Sequence, residues 1–416
     1  MPGLLADLGP LRESPAYRRL FLGSALSAVG SAMTTVAVPV QVYALTGSSF
    51  AVGLVGLAIA VPLVTLGLLG GSVADAVDRR RFVLATSSGL ALLSLGLAAQ
   101  SLAELRQVWL LYLLVALQSG LRAVQAPAQR TFAVRLLGLD RQAAVQALTA
   151  LSFQLALVLG PLLAGVLIAA SGTQLAYAVD AASFLASLTA VRRLPPMPPD
   201  QGGTRPGSRS VLEGLRFVRR HRVLAGVLLA DLDATVFGFP RALFPALAAT
   251  RLGGGPRTVG LLYAALAVGG LAASVLSGPL VRVARQGLVL LATIAVTAAS
   301  FAAFGLARSL WLALALLAAA GAADTVNGVM RGTLIQVLTP DRLRGRVNGV
   351  GFVVGAGGPA LGDVEAGSVA ALTSPVVSTV TGGVVALVGV AAIAAALPGV
   401  WRHEARAATA PPPAPT

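Results

Sequence analysis

Arg130-Thr131-Phe132-Ala133-Val134-Arg135-Leu136-Leu137-Gly138-Leu139-Asp140-Arg141-Gln142 and Arg331-Gly332-Thr333-Leu334-Ile335-Gln336-Val337-Leu338-Thr339-Pro340-Asp341-Arg342-Leu343 are two copies of one segment. Each opens on an arginine and closes on an Asp-Arg pair, Asp140-Arg141 in the first and Asp341-Arg342 in the second. A second match follows each copy: Gly160-Pro161-Leu162-Leu163 and Gly358-Pro359-Ala360-Leu361. The spacing between copies is about 200 residues in both cases, so the chain of 416 residues reads as one half repeated. Both copies run from the end of one apolar stretch into the next. A parallel repeat of membrane helices predicts two equivalent bundles related by an axis along the membrane normal, with a solute site between them near the midplane.

The composition around the repeat places it in a bilayer. Hydrophobic residues make up 56% of the chain and charged residues only 11%, with a mean hydropathy of +0.82. A soluble domain carries roughly 25% charged residues. A hydrocarbon core about 30 Å thick needs a helix of roughly 20 apolar residues, and backbone groups inside it must be satisfied by a helix or a closed barrel. The apolar runs here are long, continuous and rich in Leu and Ala, which excludes the alternating pattern of a barrel strand. The first run follows Arg18 and Arg19 and is too long for the core of a cleavable signal peptide.

All 31 basic residues are arginine. Without lysine there is no P-loop lysine and no Schiff base. Without cysteine there is no disulfide, iron–sulfur cluster or thiol nucleophile. The two histidines, His221 and His403, stand in basic segments and read as solvated side chains rather than metal ligands. No cofactor, metal or enzyme activity is expected.

The runs divide into spans near 20–45, 50–74, 82–102, 107–130, 143–170, 173–193, 223–250, 257–281, 287–306, 309–336, 346–372 and 375–400. Trp109, Trp311 and Trp401 fall at span ends, where an amphipathic ring suits the interface. With the N-terminus placed inside, 24 of the 31 arginines fall in cytoplasmic segments, four (Arg106, Arg251, Arg257 and Arg308) outside, and three (Arg122, Arg241 and Arg331) within spans. This is the positive-inside asymmetry. It predicts both termini in the cytoplasm and therefore an even number of spans. The net charge of +15 thus reads as attraction to the anionic inner leaflet rather than to nucleic acid. The expected fold class is an all-α integral membrane protein of the plasma membrane, with twelve transmembrane helices in two six-helix bundles.

The expected organisation is a cytoplasmic segment over 1–17, a first bundle over 18–194, a cytoplasmic linker over 195–222, a second bundle over 223–401 and a disordered tail over 402–416. The linker stretch from Leu194 to Ser210 is rich in Pro, Gly and Ser and cannot pack a core. Beyond it Leu212, Leu215 and Val218 share one helical face among arginines. That segment is either a short interfacial helix or an extension of the seventh span.

Between the second and third spans stands Gly71-Ser72-Val73-Ala74-Asp75-Ala76-Val77-Asp78-Arg79-Arg80. It resembles the loop signature of the major facilitator superfamily, G-x-L-A-D-R-x-G-R-[RK], with Ala76 and Asp78 departing from the usual Arg and Gly. The resemblance implies a conformational latch built from Gly71, Asp75, Asp78, Arg79 and Arg80, in which Asp75 pairs across to the opposite bundle. The second copy, Gly278-Pro279-Leu280-Val281-Arg282, has Arg282 where the acid would fall. Gly160, Pro161 and Gly165 in the fifth span resemble an antiporter-type helix motif of exporters in the same superfamily. Tyr177-Ala178-Val179-Asp180, Glu213-Gly214-Leu215-Arg216-Phe217, Arg344-Gly345-Arg346-Val347 and Gly362-Asp363-Val364-Glu365 are similar to the branch that holds the enterobactin exporter and macrolide-efflux-like carriers. That resemblance spans nearly the whole chain from Arg18 to Trp401. It implies proton-coupled export of amphiphilic small molecules.

Eight charges fall within spans: Arg122, Asp180, Asp231, Asp233, Arg241, Asp324, Asp363 and Glu365, besides Arg331 near a span end. Each costs roughly 2.5–3.5 kcal/mol at a lipid-facing helix centre, so eight facing lipid would cost about 20 kcal/mol or more. They are expected to face a wet cavity or one another. Polar stripes at helical spacing support a cavity: Ser24, Ser27, Ser31 and Thr34 in the first span, Gln118, Arg122, Gln125 and Gln129 in the fourth, and Asp324, Asn327 and Arg331 in the tenth. A proton-coupling residue should be an acid whose charge is disfavoured by burial. The candidates are Asp231, Asp233 and Asp324, then Asp180, Asp363 and Glu365, and the alternative for each is static pairing with an arginine.

Proton-driven efflux of drugs, macrolides, siderophores or related amphiphiles is the leading expectation, with small molecule, protons and membrane lipid as partners, no nucleic acid, and a functional monomer. An importer of a polar nutrient is the alternative; 13 Phe, 5 Tyr and 3 Trp over twelve spans are few for a sugar site. A non-transporting membrane sensor would leave the repeat and the buried acids without purpose.

Overall fold

The computed structural model describes residues 7–138, 140–197, 208–276, 283 and 285–402, with the helical backbone alone at 68–76 and 208–212. The side chains of Gly71 and Asp75, the Gly278–Arg282 segment, most of the linker and the tail lie outside the described residues.

Six long helices form the first half, after a short helical turn at Gly9–Glu13: α1 (Pro15–Thr46), α2 (Ser49–Ala76), α3 (Arg79–Leu102), α4 (Val108–Leu137), α5 (Gln142–Ser171) and α6 (Thr173–Arg192). Their ends follow from local chemistry. The Ser14 hydroxyl accepts from the Tyr17 N–H at 3.2 Å and Pro15 starts the helix. Gly47 turns the chain at φ 62°, where a side chain would be strained. Ser48 then caps α2, and Asp78 caps α3 through the Arg81 N–H at 2.8 Å.

The second half opens with α7 (Ser208–Arg220), α8 (Arg222–Phe237) and α9 (Phe244–Thr250), followed by α10 (Pro256–Leu276), α11 (Gln286–Leu306), α12 (Leu310–Leu338), α13 (Asp341–Leu372) and α14 (Pro375–Ala396). Among the described residues, eleven spans are long and apolar enough to cross a membrane. The twelfth, α13, is 32 residues long but carries Asp341, Arg342, Arg344, Arg346, Asp363 and Glu365. Exposed Leu92, Leu155, Leu163, Val385 and Val388 cover the outside of the bundle, a surface suited to lipid and not to water.

One expectation changes. The seventh span is not one helix. It ends at Phe237, passes through Gly238-Phe239-Pro240 and a 3₁₀ turn Arg241–Leu243, and resumes as α9. Pro240 has no N–H to give and Gly238 favours no helix, so the ladder stops there. The segment after the linker is a separate helix, because His221 leaves the helical conformation (φ −104°, ψ 94°) and its Nδ1 accepts from the Leu224 N–H. The buried side of α7 is Gly214 and Val218, whereas Leu215 is 43% exposed. Gly214 lies against the Arg346 backbone and Glu213 pairs with Arg346, so α7 docks on α13.

The halves meet along two helix pairs, α2 with α13 and α5 with α10. Glycines allow both crossings. A Cβ on Gly53 would lie 2.3 Å from the Asp363 carbonyl oxygen, and one on Gly367 2.6 Å from that of Ser49. A Cβ on Gly260 would lie 2.4 Å from the Pro161 carbonyl oxygen. These contacts sit toward the face opposite the chain ends, the far face, where the 3₁₀ turn also touches α2 and α9 touches α1.

Candidate functional site

Two cavities lie between the helices and share Ser31, Thr35 and Arg122. The first, of about 300 Å³, lies between the halves; Thr34, Ile59, Gln118 and Arg122 line one side and Arg241, Tyr263, Pro359 and Asp363 the other. The second, of about 410 Å³, lies within the first half, among Ser24, Ser27, Leu90, Gln125, Gln129, Phe153 and Phe184. The structure therefore brings the serine stripe of α1 and the glutamine–arginine stripe of α4 onto one surface.

Each arginine within the spans has carboxylates in its own half. Asp180 on α6 is fully buried. Its Oδ2 accepts from the Thr34 and Ser94 hydroxyls, both at 2.8 Å, and Ser94 accepts in turn from Gln118 Nε2 at 2.9 Å. Arg122 interacts with Asp180 electrostatically, and its guanidinium lies 5.9 Å from the Phe184 ring centre. In the second half, Arg331 forms an ion pair with buried Asp231. Asp324 is exposed to open space and interacts with Arg241, Arg331 and Asp231. Asn327 is buried beside them on α12, with its Oδ1 unpartnered among the described residues.

Asp231 and Asp233 point to different sides, as residues two apart on a helix must. Asp233 lies over Gly389 of α14, away from the arginines, and its Oδ2 has no hydrogen-bond partner among the described residues. Asp363 reaches the break in the seventh span: its Oδ1 accepts from the Ala242 N–H at 3.0 Å. The start of a helix favours a carboxylate, and Arg241 adds a second attraction. Asp363 also lies against Gly56 of α2, whose Cβ would come within 3.0 Å of Oδ2. Glu365 is half-buried on the same helix.

Of the residues expected to form a latch, Asp78 and Arg80 make side-chain hydrogen bonds with residues that precede the linker helix α7. Asp78 Oδ2 accepts from the Met197 N–H at 2.9 Å. Arg80 donates to the Val191 and Arg192 carbonyls at 3.3 and 2.6 Å, at the end of α6. Arg79 is buried. Gly160 packs on Ala32 and Val29 of α1, whereas Pro161 and Gly165 face α10 of the other half. Several parts of the site have no sequence signal of their own. Tyr263, Gly53, Gly56 and Gly260 join it only because the halves pack there. The break at Pro240 was readable from Gly238-Phe239-Pro240, a glycine–proline pair within an apolar run.

Twelve membrane-crossing segments in two halves around a central charged cavity define a secondary transporter of the major facilitator type. The chain belongs to the transmembrane secretion effector family, whose profile matches residues 5–415. It is 29% identical over 380 residues to the enterobactin exporter EntS of Citrobacter koseri, covering 91% of each chain. It is 30% identical over 383 residues to EntS of Shigella boydii serotype 18, again with 91% of each chain covered. Among solved structures, the nucleoside transporter NupG superposes with a TM-score of 0.75 at 14% identity, covering 92% of this chain and 99% of that one. A bacterial homologue of the human lysosomal transporter Spinster superposes with a TM-score of 0.71 at 16% identity, covering 94% and 97%. At those identities the likeness is one of fold.

Proposed function

We propose that this chain is a proton-coupled exporter of amphiphilic small molecules, working by alternating access as a monomer in the plasma membrane with both termini cytoplasmic. The relation to exporters supports the direction, and a cavity with polar stripes and apolar walls supports the substrate class.

The observation that carries the coupling is the position of Asp363. It lines the cavity and also lies in the α2–α13 crossing that closes the far face. When the halves rock apart there, the same carboxylate meets water from the far side. An acid that changes its side of access with the conformer is what proton exchange requires. Asp231 is tied to Arg331, Asp180 to two hydroxyls, and Asp233 lies against α14; Asp324 is the second choice because it shares Arg241 with Asp363. In this reading the Gly71–Arg80 loop is the latch of the opposite conformer, and the Asp78 and Arg80 contacts with residues before α7 belong to its released state.

The test is transport in proteoliposomes of a panel of drugs, macrolides and siderophores, with and without a pH gradient. Gradient-driven movement of an amphiphile supports the reading. Uptake of a polar nutrient alone would favour an importer instead.

A further inference from the structure

The charges buried in the two halves have opposite balance. The first half holds Arg122 with Asp180; the second holds Arg241 and Arg331 against Asp231, Asp233, Asp324, Asp363 and Glu365. Asp180 attracts Arg122 from a distance, and no ion pair joins the two among the described residues; its Oδ2 accepts from Thr34 and Ser94, and its buried Oδ1 has no hydrogen-bond partner among them. A carboxylate placed in this way keeps the guanidinium charged without using its N–H groups. Among the described residues no acceptor takes a hydrogen bond from Arg122.

Those donors stand where the two cavities join, and Arg122 is the one charged side chain lining the second cavity among the described residues. Ser24, Ser27 and Ser31 supply hydroxyls on the α1 side, and Phe153 and Leu157 on α5 supply an apolar wall. A planar cation with five donors matches an oxyanion, which it can bind through two parallel hydrogen bonds. The apolar wall matches the body of an amphiphile.

From this arrangement we infer that Arg122 recognises an acidic group on the substrate, so that the transporter prefers anionic amphiphiles: an aromatic or aliphatic body against Phe153 and Leu157, with a carboxylate or similar oxyanion on Arg122. The inference rests on the cavity being the substrate path. It places the substrate anion in the first half and the coupling proton in the second, so the two communicate through the rocking of the halves and not by displacing each other.

Equilibrium binding tests this without any gradient, which separates it from the coupling and the direction of transport. Dansylglycine, dansylamide and dansylcadaverine share one aromatic body and carry a carboxylate, no charge and an ammonium. They are titrated by calorimetry against the purified full chain in nanodiscs. Dansylglycine is expected to bind about tenfold tighter than dansylamide, the effect of one charge-assisted hydrogen-bonded contact, with dansylcadaverine weakest. Arg122→Gln is expected to erase the preference while keeping dansylamide binding, and Arg122→Lys to retain part of it. Equal affinities for the three probes, absence of saturable dansylglycine binding, or a preference that survives Arg122→Gln would each overturn the inference. If Arg122→Gln fails to fold, a preference retained wholly or in part in Arg122→Lys supports charge recognition, and an Arg122→Lys variant that binds all three probes equally overturns the inference.

Discussion

Asp363 on α13 accepts a hydrogen bond from the backbone N–H of Ala242 at 3.0 Å, so a carboxylate of one helix caps the restart of a broken neighbour. This joins three events at one point: the break in the seventh span, the Arg241 guanidinium, and the glycine-lined crossing with α2. Discontinuous helices mark ion and substrate sites in transporters because their free ends offer dipoles inside the membrane.

Replacing Asp363 by Asn keeps the size of the side chain and removes its charge. Gradient-driven transport is expected to fall at least tenfold, while downhill exchange of substrate between equal pH compartments survives. Counterflow in proteoliposomes measures both. Loss of exchange to the same degree would place Asp363 in substrate binding rather than coupling, and full gradient-driven transport would move the coupling acid to Asp324.

The Asp231–Arg331 pair joins a buried carboxylate to a partly exposed arginine. Asp231→Asn or Arg331→Gln alone leaves one charge without its partner and is expected to cost up to about 3 kcal/mol of stability. The double variant is expected to be milder than the sum of the two. Thermal unfolding in detergent shows this non-additivity; additive losses would mean that the pair is not coupled.

Gly53 has no room for a side chain, since its Cβ would strike the Asp363 carbonyl. Gly53→Leu is expected to prise α2 from α13 at the far face and favour the conformer open there. The chain has no cysteine, so a single thiol at Ile59, which lines the cavity, reports the change. An impermeant maleimide applied to intact cells should label Ile59→Cys several-fold faster in the Gly53→Leu background. Unchanged labelling would mean that the crossing tolerates the side chain without opening.

The orientation is tested with the same chemistry. Leu105→Cys, in the turn after α3, is expected to react from outside intact cells, and Arg219→Cys on α7 only after the cells are opened. The reverse pattern would invert the topology.

Alone, the sequence determined the bilayer as solvent, the number of crossings, the duplicated halves and the residues that could not face lipid. Those properties rest on local sums: run length against bilayer thickness, charge cost per residue, and helical spacing of Ser24, Ser27 and Ser31 or of Gln118, Arg122 and Gln125. The same sums could not say which acid meets which arginine. Asp231 pairs with Arg331 and Asp233 lies against Gly389 although both stand on one helix, because the rotation of α8 is set by its neighbours and not by its own composition. Nor could they show that Asp180 takes its hydrogen bonds from Thr34 and Ser94 and makes none with Arg122 among the described residues. The tertiary structure decided these points, since contacts between residues far apart in the chain depend on how whole helices pack through glycines such as Gly53 and Gly260.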